Sequence, residues 1–211
     1  TFTLYNNDPN PTFNEKMYFA KLDSTGKCLW VKQGWGGNSS LNQCAYSNGG
    51  LYVIGRADSC VQYDTASICT NAVPNSTRFL MRTDLNGNVK WVARQTNYGI
   101  PYGTALSVDE NSNVYLAGLF DSTVIVSGQS IIKAAGSSRN GYLAKYDSTG
   151  LLSWIKHLYS TGSITCGLHS NNTGNTYITG AFSGTIILGS DTLVSQNSND
   201  MYVTRFDNIG N

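Results

Sequence analysis

The chain has 211 residues and a formal net charge of +1, and charged residues make up only 13% of it. Lys and Arg are scattered singly instead of forming a basic stripe, which argues against a nucleic-acid partner or an anionic membrane surface. The longest apolar runs, such as TVIV and TIIL, fall far short of the ~20 residues that a membrane-spanning helix needs, so insertion into a membrane is not expected.

Four kinds of short strand are predicted, and they return in the same order along the chain. In each period the first strand is rich in small residues, as in NQCAYS at 42–47, and the second is of the type LYVIGRA at 51–57. The third is of the type MYFAKLD at 17–23, and the fourth carries a tryptophan such as Trp30 at its centre. Apolar residues alternate or form short blocks separated by Gly, Asn and Ser, a pattern that predicts strands and no helix.

These strands recur with a period of about 62 residues. The repeated positions are Trp30, Trp91 and Trp154; Asp23, Asp84, Asp147 and Asp207; and Tyr52, Tyr115 and Tyr177. Four antiparallel strands in every period, with a small-residue strand leading, are typical of β-propeller blades. We therefore expect an all-β propeller with about three and a half blades, the blade parts being 1–33, 41–95, 103–157 and 163–211. Closed propellers have about four to eight blades, so we expect a longer chain or several chains to complete the ring.

A corner motif links the third and fourth strand of each period, as in KLDSTGKCLWVKQ at 21–33. The Asp side chain can cap backbone N–H groups of the turn, and the Gly can take a left-handed conformation. The Trp is expected to wedge between blades and bury a large apolar area. A motif present in every period favours scaffold over a ligand site. The motif residues are Asp23, Gly26 and Trp30; Asp84, Gly87 and Trp91; and Asp147, Gly150 and Trp154.

Five cysteines are present, and none forms a Cys-x-x-Cys pair. Cys60 and Cys69 flank the short segment VQYDTASI, which can fold back as a hairpin, so we predict a disulfide between them. A disulfide implies an oxidising compartment. Cys28 takes the place of Val89 and Leu152 in the other copies and is interpreted as a small buried hydrophobe. The odd count leaves at least one thiol unpaired within the chain.

Motifs that carry chemistry are weak in this sequence. DLNGN at 84–88 lacks the Gly and Glu positions of a calcium loop, and His157 and His169 have no partner at a known motif spacing. Asp109 and Glu110 are adjacent in a predicted turn, which does not direct two carboxylates at one substrate. We predict no catalytic residue, metal or cofactor. The alternative is a propeller glycosidase that gathers its acids from several blades.

Three Asn-x-Ser/Thr sequons fall in predicted loops, where a glycan acceptor must lie. They begin at Asn38, Asn75 and Asn171.

The stretches GYLAKYDSTGLLSWIKH at 141–157 and NTGNTYITGAFSGTIILGSDTLVSQNSNDMYVTRFD at 172–207 resemble the SBBP-type β-propeller repeat. The resemblance implies secreted or surface-exposed proteins, with similar repeats in large DNA viruses, and roles in binding, adhesion or surface structure. It implies no catalytic residues. The first copy departs from the pattern through its insert at 57–77. A second resemblance, of LDSTGKCLW at 22–30 to pyrroloquinoline-quinone-type propellers, is weaker because those repeats are shorter and the cofactor contacts are not evident.

The leading hypothesis is thus a non-enzymatic extracellular propeller at a cell or virion surface, which binds a protein or a glycan. The alternatives are a carbohydrate-processing enzyme on the same fold and repeats that merely space other domains. Inserts at 57–76, 119–140 and 182–200 and three aromatic loops are predicted to share one rim of the propeller. The aromatic residues of that rim, which we expect to contact a ligand, are Trp35, Tyr98, Tyr102 and Tyr159.

Overall fold

The computed structural model describes residues 16–69, 77–97, 102–196 and 198–211, with only the backbone at 97 and 102–104. These residues form twenty strands, paired antiparallel throughout, and no helix, which confirms the all-β prediction. Within the same ranges no helix is long and apolar enough to cross a membrane. The predicted positions Asn75 and Tyr98 lie outside the described residues.

The strands fall into four successive repeats. Each contains some or all of the four kinds of strand that the sequence predicts, which we call the motif strands. Repeat 1 holds β1 (Tyr18–Leu22), β2 (Cys28–Gln33) and β3 (Trp35–Gly36). Repeat 2 holds β4 (Ser39–Ser47), β5 (Gly50–Ala57), β6 (Val61–Tyr63), β7 (Ala66–Ile68), β8 (Thr77–Asp84) and β9 (Val89–Asn97). Repeat 3 holds β10 (Tyr102–Val108), β11 (Val114–Phe120), β12 (Thr123–Val126), β13 (Gln129–Ile132), β14 (Asn140–Tyr146) and β15 (Leu152–Ser160). Repeat 4 holds β16 (Gly167–Ser170), β17 (Thr176–Phe182), β18 (Thr185–Leu188), β19 (Asp191–Val194) and β20 (Asp200–Phe206).

The four motif strands pair in chain order, so that β4, β5, β8 and β9 are neighbours in one sheet and β10, β11, β14 and β15 in another. Repeat 4 contributes β16, β17 and β20, and repeat 1 contributes β1 and β2. The pairing of strands within each repeat therefore agrees with the order that the sequence predicts.

The inserts between the second and third strands are β-hairpins that join the sheet of the preceding repeat. The hairpin β6–β7 of repeat 2 pairs with β3 of repeat 1, and β12–β13 of repeat 3 pairs with β9 of repeat 2. The hairpin β18–β19 of repeat 4 likewise pairs with β15 of repeat 3. We call each such hairpin a clasp. The sequence predicts these inserts as variable rim segments, whereas the structure makes them edge strands that extend two sheets to six strands.

Three hydrophobic cores lie between successive repeats, because each central strand is apolar on both faces. All residues of β11 and β14 are buried. Between repeats 2 and 3, Tyr52 and Leu80 of one sheet pack in the same cluster as Tyr142 and Tyr146 of the next. The other two cores join repeats 1 and 2 and repeats 3 and 4 in the same manner. The interior of this protein is therefore a series of sheet-to-sheet junctions.

The leading strands β4, β10 and β16 lie side by side, in contact through polar side chains. Gln43 of β4 accepts a hydrogen bond from the Leu106 backbone N–H at 2.9 Å and donates one to the Leu106 carbonyl at 3.2 Å. Ser107 and Ser170 join β10 to β16, with 2.6 Å between their hydroxyl oxygens. These bonds satisfy polar groups where the leading strands crowd together.

Candidate binding surface and the repeated corner

The corner aspartates bind backbone N–H groups, as their residue type suggests. Asp84 Oδ1 accepts hydrogen bonds from the Asn86 and Asn88 backbone N–H groups at 2.9 and 3.0 Å. Bonds from the Asn88 backbone and from Lys90 hold the pKa of the Asp84 carboxyl well below its usual range. The same pair of bonds, to the N–H groups two and four residues on, is made by Asp23, Asp109, Asp147, Asn171 and Asp207.

Each motif tryptophan packs on the corner glycine of the following repeat. The Trp91 indole covers Gly150 so closely that a Cβ built there would lie 2.6 Å from Trp91 Cδ2. The Trp91 indole N–H also donates to the Ser148 carbonyl at 3.1 Å. A Cβ built on Gly87 would lie 2.9 Å from Trp30, and one built on Gly210 would lie 3.1 Å from Trp154. The Trp154 indole N–H repeats the hydrogen bond by donating to the Asn208 carbonyl at 3.1 Å. The constellation of Asp, Gly and Trp is thus shared between two repeats, one supplying the ring and the other the corner.

A basic residue of the third strand reinforces this contact. The Arg82 guanidinium lies 5.6 Å from the Tyr52 ring centroid and donates to the Ser148 carbonyl of the next corner at 3.3 Å. Lys145 lies 5.5 Å from the Tyr115 ring centroid and donates to the Asn208 carbonyl at 3.2 Å. In repeats 2 and 3 the basic residue of the third strand therefore contributes to the packing between repeats, with a cation–π contact to the tyrosine of its own repeat.

Trp35 lies on an exposed row of side chains that crosses the first clasp. The register places Trp35 of β3 opposite Gln62 of β6, and Gln62 opposite Ser67 of β7. Residues directly opposite in antiparallel strands share one face. The three residues are exposed, Trp35 to 43%, and the Gln62 amide donates to the Ser67 hydroxyl at 2.8 Å. We call this set the Trp35 row.

Tyr159 holds the position equivalent to Trp35 at the clasp between repeats 3 and 4. It lies opposite Ile187 of β18, it is half-buried, and its ring meets the edge of the His157 ring at a centroid distance of 6.0 Å. Trp35 and Tyr159 belong to different sheets, and their sharing of one binding rim stays a prediction. Tyr102 begins β10 opposite Leu119, and its side chain is outside the described residues.

The predicted disulfide between Cys60 and Cys69 is present and closes the β6–β7 clasp. The Cys60 carbonyl accepts a hydrogen bond from the Gly37 backbone N–H at 2.9 Å, which ties the clasp to repeat 1. The remaining thiols are Cys28, Cys44 and Cys166. Burial raises the pKa of Cys166 to about 12, so this cysteine stays a neutral thiol at ordinary pH.

Two of the predicted glycan acceptors are described, and both are half-buried at turns. Asn171 is the cap of a corner, where its Oδ1 also accepts a bond from the Thr173 hydroxyl at 2.8 Å. The Asn38 carbonyl accepts a bond from the Asp58 backbone N–H at 2.9 Å. Whether either carries a glycan stays a prediction.

The remaining polar candidates are engaged in turns and buried networks. His157 lies 2.8 Å from Asn140 Oδ1, and burial lowers its pKa. Asp109 is itself a corner cap. Within residues 16–69, 77–97, 102–196 and 198–211, the structure contains no cluster of three or more His, Cys, Asp or Glu side chains that could hold a metal ion.

Comparison with known proteins shows a distant relationship. No family model matches the chain. An uncharacterized WD repeat-containing protein, L264 of Acanthamoeba polyphaga mimivirus, is 26% identical over 132 residues. The match covers 57% of this chain and 9% of that protein. The chain is therefore similar to a short part of a much longer viral protein, and a repeated all-β architecture is consistent with that protein's name.

Proposed function

We propose that the four repeats are blades of a β-propeller that acts as a non-enzymatic binding scaffold. The observation that carries the proposal is the strand order of each sheet: the leading strands of successive repeats adjoin at β4, β10 and β16, and the tryptophan strand is the fourth strand away from that contact. Propeller blades are four-stranded sheets ranged around an axis, and WD repeats build such blades. The name of the mimivirus relative supports the same arrangement.

The proposed ligand is a glycan, bound at the Trp35 row. A flat indole exposed beside an amide and a hydroxyl supplies a stacking surface and hydrogen-bonding groups at low entropic cost. Gln62 and Ser67 are already ordered by their mutual hydrogen bond, so little freedom is lost when a ligand binds. Gln62 and Ser67 lie on a disulfide-closed hairpin that pairs with the strand of Trp35, which favours a rigid site.

The proposed setting of this binding is outside the cell, at a cell or virion surface, where it would serve adhesion. The Cys60–Cys69 disulfide supports an oxidising compartment. The viral source of the similar protein supports a role connected with virions or infected hosts.

A glycan array probed with the labelled chain tests the binding, followed by titration of the strongest ligand. We expect Trp35→Ala to lower affinity by about 5- to 150-fold, because loss of one stacking contact is worth about 1–3 kcal/mol by analogy with base stacking on aromatic side chains. Tyr46→Ala is the matched control, since Tyr46 is an aromatic residue exposed to 65% on β4, outside the row. A chain that binds no glycan, or that binds equally well without Trp35, would refute the proposed site.

A further inference from the structure

Two lysines contact asparagine side chains across the junctions between repeats. Lys145 of β14 donates from Nζ to Asn208 Oδ1 and, at 3.2 Å, to the Asn208 backbone carbonyl in the corner of repeat 4. Lys32 of β2 donates to Asn88 Oδ1 in the corner of repeat 2 at 2.7 Å. A lysine amine held against a carboxamide can form an amide bond with it once the amine has lost its proton, because the fold makes the reaction unimolecular.

The environment of Lys145 favours the neutral amine. The residue is only 7% exposed, and its Nζ lies 5.5 Å from the centroid of the Tyr115 ring. The Trp154 indole N–H donates to the same Asn208 carbonyl at 3.1 Å, which places a second aromatic ring beside the contact. Burial lowers the pKa of Lys145, because an ammonium group is poorly solvated there. A desolvated lysine with a lowered pKa is an activated nucleophile.

The side chain of Asn208 is held from another direction by a glycine. A Cβ built on Gly174 would lie 3.0 Å from Asn208 Oδ1 and 3.2 Å from Asn208 Cγ. The carboxamide therefore contacts both the Gly174 backbone and the Lys145 amine. Asn208 as a whole residue is exposed, so a group released from its Nδ2 has a path to solvent.

Asp109 supplies a carboxylate beside this contact. It is 2% exposed, and its charge acts on Lys145, where it opposes the effect of burial on the pKa. Its Oδ2 accepts a hydrogen bond from the Tyr115 hydroxyl at 3.3 Å, and the same hydroxyl donates to the Gly174 carbonyl at 3.2 Å. The carboxylate is thus linked to both sides of the contact and can accept a proton from the lysine.

We propose that Lys145 and Asn208 join spontaneously through an isopeptide bond, which cross-links repeats 3 and 4. The Nζ lone pair attacks Asn208 Cγ, the Nζ–Cγ bond forms and the Cγ–Nδ2 bond breaks. Asp109 carries two protons in turn from the Lys145 ammonium group to Nδ2, which leaves as an ammonium ion. The products are a secondary amide and one ammonium ion, so charge is conserved and nothing is oxidised or reduced.

The pair of Lys32 and Asn88 is an internal control. Lys32 is half-buried, so water reaches its ammonium group. Asp84 Oδ2 accepts a hydrogen bond from Asn88 Nδ2 at 3.1 Å, but it also pairs with Lys90 at 3.0 Å. The pKa of Asp84 is held well below its usual range, so this carboxylate does not carry protons near neutral pH. We expect a hydrogen bond and no covalent bond at this pair.

Mass spectrometry of the denatured and reduced chain tests the bond. The wild-type chain is expected to be lighter than its sequence mass by one ammonia molecule. The loss should develop faster at mildly alkaline than at neutral pH, because only the neutral amine attacks. Peptide mapping with trypsin should yield one branched peptide that contains Lys145 and Asn208 and is not cleaved after Lys145.

Two control variants copy the corresponding contact of repeat 2, where Arg82 donates to the Ser148 carbonyl. Lys145→Arg and Asn208→Ser should therefore fold and show the full sequence mass. Each should melt at a lower temperature than the wild-type chain, because the bond closes a long loop in the unfolded state. Asp109→Asn should slow the loss of ammonia while the turn stays capped, as Asn171 caps its own corner.

A wild-type chain that keeps its full mass after incubation at mildly alkaline pH would overturn the inference, as would a loss of ammonia that survives Lys145→Arg. A branched peptide at Asn88 would contradict the selection by burial, and an Asp109→Asn chain that reacts at the wild-type rate would remove the role of Asp109. The bond depends on the junction of repeats 3 and 4 and not on the Trp35 row, so the glycan site and the bond are tested separately.

Discussion

Gly150 meets two structural requirements at one position. Its φ is +87°, in the left-handed region, and the Trp91 indole leaves no room for a Cβ. Gly128, in the turn of the β12–β13 clasp, has the same φ of +87°, but no atom lies within 4 Å of the position that a Cβ would take there. Substitutions at the two glycines can therefore be compared to separate the free-energy cost of backbone strain from the cost of disturbing the contact with tryptophan.

We expect Gly128→Ala to cost about 1–2 kcal/mol of unfolding free energy, the usual penalty of a left-handed conformation for a residue with a Cβ. Gly150→Ala should cost about 1–3 kcal/mol more, because the methyl group also displaces the indole. Urea unfolding of both variants measures the difference. Equal losses would show that Trp91 does not constrain this corner.

The corner aspartates make stability depend on pH. The pKa values of Asp23, Asp84, Asp147 and Asp207 are all lowered in the fold, although partial burial opposes the shift. For Asp84 the largest cause is the hydrogen bond from the Asn88 backbone. A carboxyl with a lowered pKa in the folded state stabilises the fold above its unfolded pKa, and this stabilisation is lost as pH falls through the folded value.

The contribution of these aspartates to stability should therefore be steady near neutral pH and fall below about pH 4, the unfolded pKa of Asp, so the melting temperature should fall there. The lowered pKa of His157 adds a separate loss of stability that begins below about pH 6.5, the unfolded pKa of His. Asp84→Asn is expected to reduce that fall, because an amide does not titrate and Asn171 shows that an Asn oxygen accepts the same bonds. The measurement is a series of melts between neutral pH and about pH 2 for both chains. Identical pH profiles would contradict a titrating role for this corner.

The β6–β7 clasp is a short element whose ends are joined by the disulfide between residues nine apart. Closing a loop of this length stabilises a fold by about 2–3 kcal/mol through the unfolded state. We expect the Cys60→Ser/Cys69→Ser variant to lose that much unfolding free energy, and hydrogen exchange in β3 to quicken because β6 is its partner. Reductant should destabilise the wild-type chain and leave the double variant unchanged. A wild-type chain indifferent to reductant would contradict this role.

The clasps also mark the limit of what the sequence predicts at this scale. Alternating residues in TVIV and TIIL indicate strands, and the intervening turns indicate hairpins. Such patterns are local, whereas the choice of partner strand depends on long-range register. Nothing in the residues of β18 shows that Ile187 lies opposite Tyr159 of the preceding repeat. The sequence therefore predicts the rim aromatics in loops, while Trp35 and Tyr159 lie in strands paired with a clasp.

For the whole molecule, periodicity is sufficient to predict the repeats because the motif residues hold successive sheets together. Trp91 and Arg82 of one repeat contact the corner of the next. Residues that make this contact must therefore return once in every repeat, which produces the period seen in the sequence. The candidate site is predictable only in part. The sequence predicts Trp35 as a rim residue because it lies between Gly34 and Gly36. Gln62 and Ser67 are distant from Trp35 in the sequence, and only the pairing of β3, β6 and β7 places them beside it.

The leading strands of successive repeats are in contact, and we propose that they meet around an axis, as propeller blades do. The most direct test is a disulfide cross-link between Ser107→Cys and Ser170→Cys, whose hydroxyl oxygens are 2.6 Å apart across β10 and β16. The pair Ser107→Cys and Ser153→Cys is the control, because Ser153 lies on β15 at the far side of the motif strands of repeat 3. Under mild oxidation, peptide mapping should find the 107–170 bond in the folded chain and no 107–153 bond. Failure of the 107–170 bond to form, or equal formation in the control, would contradict the proposed arrangement.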